Sequence, residues 1–145
     1  MSLAHITGYQ LTRANLVSLG SFERGVQRVF DLRPVEFTIL QLVLEGQCNT
    51  PSQLAKELSI TPPSMSVWLD KLTARKLLQR SKSALDGRAS QVQLTPSGQR
   101  LIGQAHEALI KAEQQLLSVL SPGERALLLE ILHKLCEKQA LSQSK

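Results

Sequence analysis

Between residues 10 and 30 the apolar side chains Leu11, Ala14, Leu16, Val17, Leu19, Phe22, Val26, Val29 and Phe30 recur at helical spacing. Gly20 and Gly25 weaken the middle, so one helix bent near Gly20 is predicted. Pro34 stands where a second helix would begin; Val35, Phe37, Ile39, Leu40, Leu42, Val43 and Leu44 follow, and Gly46 supplies a stop. A third helix opens at Asn49-Thr50-Pro51, with Thr50 as cap and Leu54, Ala55 and Leu58 as its apolar stripe. After the turn Ser59-Ile60, Thr61 caps a fourth helix that starts at Pro62. Its Met65, Trp68, Leu69 and Leu72 fall at i, i+3, i+4 and i+7.

The period then changes from helical to two. Residues 77–82 read as a short strand, 83–88 as a polar turn with a glycine, and 90–94 alternate polar and apolar as a half-buried strand does. Two capped helices joined by a short turn, then a hairpin with a basic tip, give the order of a winged helix-turn-helix. Thr95-Pro96-Ser97 caps a long helix whose stripe runs through Leu101, Ile102, Ala105, Ala108, Leu109, Ala112, Leu116, Leu117 and Leu120. Ser121, Pro122 and Glu124 form a capping box before a last helix bearing Leu127, Leu128, Ile131, Leu132, Leu135 and Cys136, and residues 142–145 are expected to fray. The predicted fold is therefore mainly α with a small β-hairpin wing. A winged lobe at 33–98 is flanked by a helical dimerisation region at 1–32 and 99–145. The flanking stripes exceed what the lobe can cover, so pairing with a second copy is expected, the alternative being an intramolecular bundle.

Composition narrows the function. Only 3% of the 145 residues are aromatic against 42% hydrophobic overall, so the core is aliphatic. Cys48 and Cys136 have no Cys or His at metal-ligand spacing and read as reduced cytosolic thiols. No signal peptide or membrane span is visible, so a cytoplasmic protein without a membrane partner is expected. The formal charge is +5, and residues 70–88 hold Lys71, Arg75, Lys76, Arg80, Lys82 and Arg88 against Asp70 and Asp86, a net +4. Such a concentrated cluster is the footprint of a polyanion contact; a solvated basic face is the bland alternative. His5, His106 and His133 lie in no nucleophile, carboxylate or zinc pattern, and no phosphate-binding glycine loop is present. Neither an enzyme nor a cofactor is expected.

The run LAKELSITPPSMSVWLDKLTARKLLQRS (Leu54 to Ser81) and the run DGRASQVQLTPSG (Asp86 to Gly98) resemble the MarR family of multiple-antibiotic-resistance-type regulators. The most specific piece is Asp86-Gly87-Arg88 followed by Leu94-Thr95 and Gly98. The resemblance implies a triangular homodimer on a pseudo-palindromic operator in double-stranded DNA. It also implies a transcription repressor released by a small phenolic or other aromatic effector, or by an oxidant. Two departures stand out: Lys76 occupies a place often taken by glycine, and Val67 one often taken by a basic residue. Base reading would then lean on Ser64, Ser66 and packing against thymine methyl groups.

On this reading Pro63, Ser64, Ser66, Val67 and Lys71 face the major groove or its flanking phosphates. Arg80 and Lys82 meet phosphates, and Arg88 enters the minor groove or meets phosphate, held in place by Asp86. Thr50, Ser52 and Gln53 offer backbone N–H groups to a phosphate. Trp68 belongs to the core. His5, Tyr9 and Arg13 are the candidates for an effector pocket. Peroxide-sensing members carry a cysteine in the first helix, and its absence here argues against that mechanism; a secondary sensing role for Cys48 is the minor alternative to a plain reduced thiol. A competing reading is a winged-helix protein-interaction module that binds no DNA.

Overall fold

Five of the six prolines each occupy the first position of a helix, where a missing N–H costs no hydrogen bond. They open α3 (Pro34–Leu44), α4 (Pro51–Glu57), α5 (Pro62–Ala74), α6 (Pro96–Leu116) and α7 (Pro122–Ser142). Ahead of them come a short 3-10 turn (Leu3–His5), α1 (Thr7–Phe22), a π-helical turn (Glu23–Gln27) and the single turn α2 (Arg28–Phe30). The hairpin pairs β1 (Leu78–Lys82) with β2 (Ser90–Leu94). The computed structural model describes residues 2–82 and 90–142, without the side chains of 82 and 138–142.

Most predicted caps form. The Thr50 hydroxyl accepts from the Gln53 N–H (3.3 Å), and the Thr95 hydroxyl accepts from the Gly98 N–H (3.0 Å). At α7 the Ser121 hydroxyl and the Glu124 carboxylate each accept from the other residue's backbone N–H, and these bonds pull the Glu124 pKa below its ordinary value. Thr61 departs from expectation. It is the N-terminal cap of α5 by backbone conformation, but its hydroxyl donates to Ser64 Oγ (2.9 Å) instead of accepting from the helix backbone.

The helix predicted to bend at Gly20 runs through it unbroken. The irregularity is the π-helical turn, and Gly25 lies inside it. There the π-helical turn and α6 approach so closely that a Cβ on Gly25 would stand 2.8 Å from Ala112 Cβ. The arm then stops at Asp31, whose left-handed φ of 52° turns the chain into the lobe.

Inside the lobe Leu32, Ile39, Leu40, Leu54, Met65, Leu69, Leu72, Leu78, Val92 and Ile102 are fully buried, so α3, α4, α5, the hairpin and the start of α6 share one aliphatic core. Phe22 joins it edge-to-face with Phe37, ring centroids 5.6 Å apart. The hairpin is antiparallel, with Leu78 opposite Leu94 and Arg80 opposite Val92. It is anchored to the loop before α4, where the Val92 N–H donates to the Asn49 carbonyl (2.8 Å). Outside the lobe, Leu11, Leu16, Val17 and Leu19 on α1 and Leu127, Leu128, Leu129, Ile131 and Leu135 on α7 remain exposed.

Candidate nucleic-acid interface

The two faces of α5 divide cleanly. Met65, Leu69 and Leu72 are buried in the lobe, while Pro63, Ser64, Ser66, Val67 and Lys71 are exposed together on the opposite side, Val67 by 54%. The turn before this helix is tight because Ser59 takes a left-handed φ of 51°. Trp68 is half-buried against the core, as its stripe predicts, and the Lys71 ammonium sits 4.7 Å from its ring centroid. That cation–π contact holds the Lys71 charge at the edge of the exposed face.

Other assigned residues are placed differently from expectation. Arg80 on β1 is not an unencumbered phosphate ligand. Its Nη2 lies 3.0 Å from the Asp70 carboxylate and donates to the Ser66 carbonyl (3.4 Å), so it braces the wing strand against α5. The α4 terminus is also largely occupied: the Thr50 N–H donates to Gln53 Oε1 (3.2 Å), and the Gln53 N–H goes to the Thr50 hydroxyl. Of the three backbone donors expected there, the Ser52 N–H alone is outside this capping box, while its hydroxyl pairs with that of Thr50 (3.2 Å). Lys82 ends β1 opposite Ser90; its side chain, with Asp86 and Arg88, lies outside the described residues.

Arg75, counted within the basic cluster, turns toward the α2–α3 junction, where it meets Asp31 and the buried Glu36. Among the described side chains of that segment, Lys71 and Lys76 are the cations outside any ion pair. Sequence reasoning missed the work of Asp70, Asp31, Glu36 and Arg75, because these contacts join distant stretches of chain; an acidic residue on the exposed side of α5 was the one available clue. Lys76 adopts φ 57°, the conformation a glycine would take without strain, so the chain makes the usual turn there despite its side chain.

His5, Tyr9 and Arg13 are exposed, and the Arg13 guanidinium stands 6.0 Å from the Tyr9 ring centroid. Two open cavities lie elsewhere. One of about 350 Å³ is bounded by Val43, Asn49, Val92 and Gln99, and one of about 440 Å³ by Ser21, Arg24, Ala112 and Gln115. Cys48 is buried, and burial followed by the charge of Glu57 pushes its pKa up, which keeps it a thiol. Among the described residues no His, Cys, Asp or Glu group fits a metal ion, and no helix is long and apolar enough to cross a membrane.

A helix-turn-helix whose second helix bares a polar face beside a two-stranded wing defines a winged-helix DNA-binding protein. The MarR family model matches residues 32–90, so the winged lobe of this chain is similar to the MarR family, whose proteins are transcription regulators. A curated protein of Thauera aromatica, assigned provisionally to transcriptional regulation of the hcr operon, is 24% identical over 134 residues, 92% of this chain and 81% of that protein. The structure of the transcriptional repressor CouR bound to a 23-mer DNA duplex superposes with a TM-score of 0.84 at 25% identity, over 94% of this chain and 98% of CouR. Bordetella bronchiseptica BpsR, studied for regulation of its DNA binding by 6-hydroxynicotinic acid, has the same fold: TM-score 0.84, 24% identity, 94% of this chain and 96% of BpsR.

Proposed function

We propose that this regulator is a homodimeric repressor that reads a pseudo-palindromic operator and is released by a small phenolic or other aromatic effector. The observation that carries the reading is the exposed face of α5, where Ser64, Ser66, Val67 and Lys71 stand clear of the core beside a wing braced by Arg80. A face that is polar but carries a bare valine suits base edges and thymine methyl groups. Residues 33–98 form the reading lobe. Residues 1–32 and 99–145 form the dimerisation region, whose exposed leucines on α1 and α7 would be covered by a second copy. Lys82 and Arg88 take phosphate or minor-groove contacts from the wing, Asp86 orients Arg88, and Thr50, Ser52 and Gln53 border the same surface from α4. Pro63 starts the reading face.

Effector control is supported by kinship of fold with BpsR, and repression by kinship with CouR. His5, Tyr9 and Arg13 lie on the arm expected to meet a partner protomer; Tyr9 offers a stacking face and Arg13 a cation for an aromatic acid or phenolate. The protein works where the chromosome is, in the cytoplasm.

The test is the salt dependence of binding to duplex DNA from the protein's own upstream region. Several phosphate contacts give a slope of log affinity on log salt of about −0.9 per phosphate. A flat response favours a protein-interaction module instead.

A further inference from the structure

The lobe leaves the arm at Asp31, and one side chain from the DNA-reading helix reaches that junction. Arg75 caps the C-terminus of α5, and its Nη1 donates to the Asp31 backbone carbonyl at 2.8 Å. Its Nη2 stands 3.7 Å from the Asp31 carboxylate, and Nη1 lies 3.6 Å from Glu36 Oε1. Glu36 is only 6% exposed, and its other oxygen accepts from the Arg33 N–H at 2.8 Å, so the carboxylate is fixed before Arg75 meets it. One guanidinium therefore spans the last residue of the arm and the first turn of the lobe. A planar fork that engages a carbonyl and two carboxylates constrains direction as well as distance, which a point charge does not.

We propose that Arg75 is a positioning residue for DNA reading: it ties the end of α5 to the arm–lobe junction, so the reading helix keeps one orientation relative to the arm. This rests on the dimeric DNA-binding function proposed above. In a two-fold dimer the arms set the separation of the two reading helices, and half-site spacing mirrors that separation. With the lock intact the end of α5 is held in one orientation against the arm; without it α5 keeps only its packing in the lobe core, and its orientation relative to the arm is less sharply fixed.

The probe is a duplex enriched by the wild-type chain from random-sequence DNA, compared with the same duplex carrying one base pair added or removed at its centre. The wild type should discriminate clearly between spacings. Arg75→Gln should bind all three more evenly, losing about threefold or more of that discrimination. Arg75→Lys keeps the charge without the fork and should fall between the two. Should Arg75→Gln fail to give a folded circular dichroism spectrum, Arg75→Lys is read alone against the wild type, and unchanged discrimination in it overturns the lock. A uniform loss of affinity at every spacing would mean that Arg75 only supports folding, and would also overturn it. If the wild type enriches no duplex, the DNA-binding reading itself fails, which is a separate result from unaltered discrimination in the variants.

Discussion

The Arg80 guanidinium stands 3.0 Å from the Asp70 carboxylate, which ties the first wing strand to the helix that carries the exposed reading face. The two residues sit on different elements, and Arg80 also donates to the Ser66 carbonyl one turn away from Asp70. The pair is partly exposed, so its coupling in a double-mutant cycle on stability should be below about 1 kcal/mol. Its effect should appear in DNA binding. Arg80→Ala is expected to weaken binding while leaving the salt slope nearly unchanged. A slope shallower by about 0.9 would instead make Arg80 a direct phosphate ligand.

Lys76 offers a stabilising change. Its φ of 57° is a left-handed conformation that costs an L-residue about 1–2 kcal/mol, of which glycine's greater unfolded freedom cancels part. Lys76→Gly should raise stability by about 0.5–1 kcal/mol in denaturant titration. A lower midpoint would show that the lysine side chain contributes more than its backbone costs.

Gly98 should tolerate nothing larger. A Cβ there would lie 2.1 Å from the Leu77 carbonyl oxygen and 3.2 Å from the Leu94 side chain, both at the base of the wing. Relief would require moving backbone, so Gly98→Ala is expected to cost about 3 kcal/mol or more, read as a fall in melting temperature. A melting temperature within a degree or two of wild type would contradict the close approach of α6 to the wing.

The two cysteines should separate chemically. Burial pushes the Cys48 pKa up, whereas Cys136 is exposed on α7. At neutral pH an alkylating reagent should modify Cys136 rapidly and Cys48 only after denaturation. As pH rises past about 8.5, the unfolded chain releases the Cys48 proton before the folded one does, so Cys48 lowers stability on the alkaline side. The Cys48→Ser variant should show less alkaline loss in a pH series of unfolding midpoints, and an equal loss would remove Cys48 from that dependence.

The exposed leucines provide the test of assembly. Replacing Leu129 on α7 by glutamate puts a charge on the face expected to meet a second copy, and light scattering should then report a protomer of 16.0 kDa in place of its double. A wild type that already scatters as one protomer would assign those leucines to another partner.

Local devices were readable from the chain because they act over three or four residues. The Thr50, Thr95 and Ser121 caps, the proline starts and the buried stripe Met65–Leu69–Leu72 all arise from spacing alone. The reading face of α5 was legible as the complement of that stripe. What the sequence concealed is tertiary. Arg75 and Arg80 look like any other members of a basic cluster, and only the fold shows that each carries an acidic partner from elsewhere. The Thr50–Gln53 cap was readable, but not that it would occupy two of the backbone donors expected to meet phosphate. The bend assigned to Gly20 belongs to the turn around Gly25, since the close approach of Ala112 from α6 is invisible in a single periodicity.

That π-helical turn lets one continuous rod face in two directions. An α-helix advances by about 100° per residue, so the wider coil at Glu23–Gln27 shifts the phase between the helical segments on either side of it. Leu16 and Leu19 on α1 look outward, whereas Phe22 at its end and Val26 within the wider coil look into the lobe. Excising one residue from the widened coil would restore α-helical pitch and swing the outer leucines about a quarter-turn round the axis. Removing Glu23 would leave every apolar side chain of the molecule in place in the sequence and still aim Leu16 and Leu19 in a different direction relative to the lobe.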